Sequence, residues 1–151
     1  MPDFLPPDPM FESRVRASFA RQQVMHTLGA SLTLVAPGVV EIALPFNRDL
    51  TQQHGFLHAG IIGTILDSAC GYAAFSLMPA DKAVLSVEYK INLLAPAKGQ
   101  NFIAKAQVIK AGRNLTVCTG EAFAYDHERS KLVATMTATM MAIPEREDLQ
   151  G

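Results

Sequence analysis

Cysteine is scarce in this sequence. Cys70 and Cys118 are the two among 151 residues, too few for the disulfide framework of a small secreted domain. One buried disulfide stays open, but both fall in apolar runs and are expected as reduced core thiols. An excess of one charge is also missing. Thirteen Lys and Arg stand against fourteen Asp and Glu, a net charge of -1, so nothing points to a nucleic-acid partner. No uninterrupted run of about eighteen apolar residues occurs, so no membrane span is expected. No His, Cys and Asp set has metal-ligand spacing, so no metal is expected. The opening MPDFLPPDPMFES lacks the basic and apolar regions of a signal peptide, and a cytoplasmic location is expected. There is no internal repeat and no low-complexity segment. What is present is a 49% hydrophobic composition, enough for one domain to close a core without metal or disulfide.

Proline and glycine punctuate the chain. Residues 1–9 carry four prolines and read as an extended lead. Over residues 10–25, Phe11, Val15, Phe19 and Val24 fall near helical spacing. The reading is a short amphipathic helix with Ser13 as its cap. Residues 30–46 form two alternating runs around Pro37-Gly38, a β-hairpin. Residues 47–57 read as a polar loop, and 58–78 as one long helix ending before Pro79. Four strand-like runs follow, at 83–94, 101–111, 114–125 and 131–143. The last three are closely connected and suit an antiparallel meander. An antiparallel sheet with one dominant helix packed on it is an α+β fold. The organisation expected is an extension with a short helix over 1–24, a domain over 25–144 and a solvated tail over 145–151.

The long helix contains one carboxylate, Asp67, nine residues after His58 and fifteen after Gln52. A charge withdrawn from water is costly without a partner or a task. On a helical wheel, Gly60, Gly63, Gly71 and Ala74 lie close to Asp67, with Thr64 and Cys70 further out. Ile62, Ile65, Ala69 and Tyr72 occupy the opposite face, flanked by Ile61 and Leu66. A mid-helix glycine costs about 1 kcal/mol relative to alanine. The return is room, either for close packing or for a ligand beside the acid. His58 stands at the helix start, on the opposite face from Asp67 and about 13 Å away along the axis. The two cannot pair directly within one subunit. If both serve one site, two chains must build it. The free N–H of Ala59 or Gly60 at the helix start suits a developing oxyanion.

Gln52, then His58-Ala59-Gly60, then Asp67 within ILDSACGYAA resembles the hotdog-fold acyl-CoA thioesterases. Among them it is most similar to the phenylacetic-acid-degradation (PaaI-like) type of the 4-hydroxybenzoyl-CoA thioesterase superfamily. SVEYKINLLAPAKG (86–99) and VIKAGRNLTVCTGEAF (108–123) extend the likeness over roughly residues 25–143. The resemblance implies an antiparallel sheet wrapped around one long central helix. It also implies a homodimer or homotetramer and a site at the subunit interface. It places Asp67 as nucleophile or general base. His58 matches the histidine of the family's His-Gly-Gly, and Ala59 takes the place of the first glycine, whose N–H polarises the thioester carbonyl. Gln52 matches an Asn or Gln that positions substrate or water, although Gln53 is its neighbour. Ser86 matches a serine that orients the water. Lys98, Lys110 and Arg113 suit the phosphates of coenzyme A, which belongs to the substrate, so no separate cofactor is expected. His54 suits a bond to its loop, Tyr72 the core or a pocket wall, and His26 and His127 structural positions. The rival readings are a hotdog hydratase acting on enoyl or hydroxyacyl thioesters and a non-catalytic acyl-CoA-binding module.

Overall fold

The computed structural model describes residues 3–151, so the first two residues of the proline-rich lead lie outside the described residues. The lead reaches helix α1 (Phe11–Arg21), followed by α2 (Gln23–Leu28). The expected single helix over 10–25 is therefore corrected to two. The break falls at Gln22, whose backbone is extended at φ -79° and ψ 100°. Its side-chain Oε1 accepts a hydrogen bond from Ser68 Oγ at 3.1 Å. That break also shifts the helical phase. Val24 is exposed, and Met25 and Leu28 enter the core instead. Ser13 is not the cap. Its hydroxyl donates to the Met10 carbonyl at 2.9 Å, and Met10 stands at the cap position without a side-chain bond.

The hairpin forms as the Pro37-Gly38 signal requires, from β1 (Ser31–Ala36) and β2 (Val39–Pro45). Gly38 has φ +72°, a conformation that glycine reaches at no steric cost. Its N–H donates to Ser76 Oγ at 2.8 Å, which ties the hairpin to the end of the long helix. The expected polar loop contains a short 3-10 turn over Arg48–Leu50. Helix α3 (Ala59–Phe75) is shorter than the expected 58–78. His58 caps its start, and the chain turns through Ser76–Met78 before Pro79.

β3 (Lys82–Leu93), β4 (Asn101–Ala111), β5 (Leu115–Asp126) and β6 (Arg129–Pro144) complete the chain. Among the described residues, six strands form one antiparallel sheet in the order β1-β2-β4-β5-β6-β3. The meander β4-β5-β6 lies in its centre. β3 does not join its sequence neighbour β4 but pairs with β6 at the far edge.

The sheet curls around α3. Ile62, Ile65, Leu66, Ala69 and Phe75 of the helix share one core with Ile42, Leu44, Phe102, Met136 and Met140. Gly120 of β5 permits the closest approach. A Cβ there would sit 3.0 Å from Leu66 Cδ2 and 3.2 Å from Cys70 Sγ. Cys70 and Ala74, which the wheel placed near the acid's stripe, are fully buried as well. Only a narrow strip of the helix stays open, and it contains Gly60, Thr64, Asp67 and Gly71.

Arg14 of α1 fastens the other end of α3. Its guanidinium lies 4.4 Å over the Phe75 ring. It donates to the carbonyls of Pro79 at 2.7 Å, Met78 at 2.6 Å and Phe75 at 3.3 Å. Its Nε sits 3.2 Å from buried Asp8, without the alignment of a hydrogen bond. Carbonyls at a helix C-terminus have no intrahelical donors, and a cation there also meets the dipole. Arg14→Ala removes these bonds and leaves Asp8 buried without its cation. We expect a loss of about 3 kcal/mol of stability, read as a lower urea midpoint at unchanged slope.

Candidate active site

The loop before α3 is held closed by its own backbone. Thr51 and Leu57 form an isolated bridge. Gln52 N–H donates to Phe56 O at 2.9 Å, and Gly55, at φ +83°, donates back to Gln52 O at 3.0 Å. The Gln52 side chain joins this loop, since its Oε1 accepts from His54 N–H at 2.6 Å. Its amide Nε2 is left to donate elsewhere. Gln53 is exposed, with its Nε2 3.5 Å from His54 Nε2.

His58 Nδ1 accepts from Gly60 N–H at 2.8 Å, so the imidazole is the helix cap. The His58 carbonyl takes the N–H groups of Ile61 at 2.9 Å and Ile62 at 3.3 Å. His58 N–H itself goes to Leu50 O at 2.9 Å. This inventory leaves one group over. Among the described residues, the Ala59 N–H meets no acceptor, and Ala59 is exposed. Gln52 and Ala59 line the same cavity of about 480 Å³, with Phe56, Leu57, Ile62 and Leu93 among its walls. Gly60, whose N–H serves the cap, does not line it.

Asp67 lies in a different cavity, of about 300 Å³, beside Gly71 and Ser86. Ser86 reaches it from β3, and its hydroxyl donates to Asp67 Oδ1 at 2.7 Å. The sulfur of Met140 lies 3.4 Å from the same hydroxyl. Asp67 Oδ2 has no protein donor among the described residues. A Cβ built on Gly71 would touch nothing within 4 Å, so glycine does leave room beside the acid. Ala59 and Asp67 are eight residues apart on one helix, about 12 Å along the axis. One chain thus carries an N–H donor in one cavity and a carboxylate in another.

The basic residues do not gather at either cavity. Lys98, Lys110 and Arg113 are all exposed. Lys98 precedes β4 and Lys110 lies near its end, so the strand separates them by roughly 35 Å. Lys110 pairs with Val117, next to buried Cys118 and hence on the sheet face away from the helix.

Four polar residues of the Asp67 cavity were not legible as site residues. Ser18, Arg21 and Gln22 of the α1 end and Ser68 of α3 line it. Ser18, Arg21 and the capping Gln22 sit at i, i+3 and i+4 along the end of α1, a spacing that marks one helix face. The sequence reading used only that helix's apolar face. Tyr72 is a wall of the same cavity, 3.3 Å from Ser18 Oγ. Burial raises its phenol pKa, against the hydrogen bond from Ser18 and the charge of Arg21. Gln150 and Gly151 line the cavity too, so the tail expected in solvent folds back. Gly151 N–H donates to Glu145 Oε1 at 3.0 Å.

The thiols take no part in this chemistry. Both are free and buried. Burial raises the Cys70 thiol, helped by Cys118 and Asp67, and pushes Cys118 up to about 12. A thiol so shifted is not the nucleophilic thiolate.

A curled antiparallel sheet around one long helix is the hotdog fold. The family model of the thioesterase superfamily matches residues 54–131, over half of the chain, and the chain belongs to that superfamily. A thioesterase family protein from Silicibacter pomeroyi is 56% identical, covering 89% of this chain and 99% of its own with a TM-score of 0.88. The E. coli PaaI protein from the phenylacetic acid degradation operon shares the fold. It is 20% identical, with a TM-score of 0.80 over 88% of this chain and 93% of that one. Human acyl-coenzyme A thioesterase 13 is 28% identical over 88 residues, which are 56% of this chain and 61% of that protein. Among the described residues, no helix is long and apolar enough to cross a membrane.

Proposed function

We propose that this chain hydrolyses an acyl-CoA thioester at a site completed by two copies of itself. The observation that carries this reading is the division of the chemistry between two cavities of one chain. The unused Ala59 N–H stands in one and the Asp67 carboxylate in the other, about 12 Å apart along the helix. A second copy can bring opposite halves together. The free edge of the sheet supports such a partner. β3 leaves Val87, Tyr89 and Leu93 from 48% to 57% exposed at that edge, and an unpaired apolar edge is a template for another strand. The assembly is a homodimer or a tetramer built from such dimers, acting in the cytoplasm.

In the combined site the thioester carbonyl oxygen accepts the Ala59 N–H, reinforced by the positive end of the helix dipole. The free Gln52 Nε2 supplies a second donor. Asp67 of the other copy attacks the carbonyl carbon or removes a proton from the attacking water. Collapse of the tetrahedral intermediate expels the thiolate of coenzyme A, which takes up a proton. Where Asp67 itself has attacked, water then cleaves the resulting aspartyl anhydride, releasing the acid and restoring the carboxylate. Ser86 fixes one carboxylate oxygen and leaves the other free to react. His58 acts through its cap, holding the helix start so that Ala59 N–H faces outward. Lys110 and Arg113, three residues apart, serve coenzyme A phosphates from the surface as charge-assisted donors, and Lys98, at the far end of β4, does not share that place.

The test is a scan of aryl, short and long acyl-CoAs and of matching enoyl-CoAs. Free thiol and double-bond absorbance are followed together. We expect thiol release with the double bond untouched. Loss of the double bond without thiol would replace this reading with a hydratase. Saturable binding with neither change would replace it with a binding module.

A further inference from the structure

The Asp67 cavity, which holds the proposed attacking carboxylate, is lined mostly by residues with polar side chains. Apart from Val84, Gly71 and Gly151, its lining side chains carry hydroxyl, amide, carboxylate or guanidinium groups. Two pairs satisfy each other: Ser18 with Tyr72 at 3.3 Å and Ser68 with Gln22 at 3.1 Å. A long hydrocarbon chain would strip water from these groups and offer nothing in return. Arg21 is the only cation among the lining residues. It lies between Ser18 and Gln22, which touch Tyr72 and Ser68 of α3. That puts it beside the helix turn following Asp67, roughly 5 Å further along the axis. One guanidinium nitrogen, Nη2, donates to the carbonyl oxygen of Gly151. The other, Nη1, donates weakly to Ala17 O at 3.3 Å. Arg21 is exposed at the rim of the cavity, and there an acceptor oxygen from the tail already meets its guanidinium. Glu145 Oε1 is engaged by Gly151 N–H at 3.0 Å.

We propose that Arg21 reads the far end of the acyl group, and that the preferred substrates are short ω-carboxyacyl thioesters, the monothioesters of dicarboxylic acids. This rests on the hydrolase reading above. A substrate carboxylate replaces the Gly151 carbonyl on Arg21. There it gains the paired, charge-assisted bonds that a guanidinium fork offers to two oxygens. Arg21 also shields that carboxylate from the like charge of Asp67 at the reacting end. It is a specificity residue and touches no reacting atom.

The experiment compares succinyl-, glutaryl- and adipyl-CoA with neutral acyl-CoAs of equal chain length. The full chain is assayed alongside Arg21→Gln and Arg21→Lys, with thiol release as the readout. The native protein should favour the carboxyacyl member of each pair by at least about 10-fold in kcat/KM. Arg21→Gln should lose about 10- to 100-fold on those substrates, mostly in KM, and stay near native rates on the neutral ones. Arg21→Lys should keep part of the preference. Native preference for neutral chains overturns the proposal, and so does an equal loss on both series in Arg21→Gln. The substrate profile of the native protein decides even if the variant fails to fold. Absence of thiol from every thioester overturns the hydrolase reading itself, a result distinct from turnover with the wrong preference.

Discussion

Asp67→Asn should lower kcat by about 10³-fold while the protein unfolds at nearly the native temperature. The two halves of that expectation rest on different observations. Asn has the shape of Asp, and its Oδ1 can still accept the Ser86 hydroxyl that now donates to Asp67 at 2.7 Å. Asp67 is half-buried and makes no ion pair within 4 Å among the described residues. No buried partner is therefore left unsatisfied by removing its charge. Catalysis is another matter. An amide is neither a useful nucleophile toward a thioester nor a base for water. Steady-state thiol release and thermal melting of the same sample check both halves. Retention of near-native turnover in Asp67→Asn would remove Asp67 from the mechanism. A collapse of the melting temperature would instead make it a structural acid.

That acid could be located in the sequence because its local context is periodic. A helix places residues at fixed angles and a fixed rise, so the separation of Asp67 from His58 follows from numbering alone. The hairpin and the meander were legible for the same reason. Alternation sets strands, and Pro37-Gly38, Gly112 and Pro144 mark their ends. What lacks a local signal was not legible. β3 could have paired with β4, its neighbour in sequence. It lies instead against β6 at the sheet edge, a long-range pairing that no local pattern encodes. The Gln22 break depends on Ser68, forty-six residues away, and no propensity carries that information. Nothing in the sequence singled out Arg14, since the three carbonyls it grips are those of Phe75, Met78 and Pro79, more than sixty residues away. Polar residues on α1 were passed over because a solvated helix face and a cavity roof share one composition. The structure tells them apart by what lies above them.

Ala59→Pro isolates the other half of the proposed site. Proline has no N–H, so the change deletes the one donor that the helix start leaves unused. It deletes nothing else of consequence. Ala59 is the first residue of α3, where proline is favoured because its fixed φ suits a helix and the missing N–H had no intrahelical acceptor. The residue before a proline must be extended, and His58 already is, at φ -61° and ψ 137°. Ala59 is exposed, so the ring has space. The His58 cap on Gly60 N–H remains, and with it the helix. Folding stability should hold or rise slightly, since proline also restricts the unfolded chain. Turnover should fall by about 10²- to 10³-fold, the loss that follows removal of one oxyanion donor. The decrease should appear in kcat more than in KM, because the bond strengthens as charge develops on the oxygen. A melting curve beside the rate separates the outcomes. Native turnover in a well-folded Ala59→Pro would mean that the carbonyl oxygen is held by some other donor, such as Gln52 Nε2 in the same cavity.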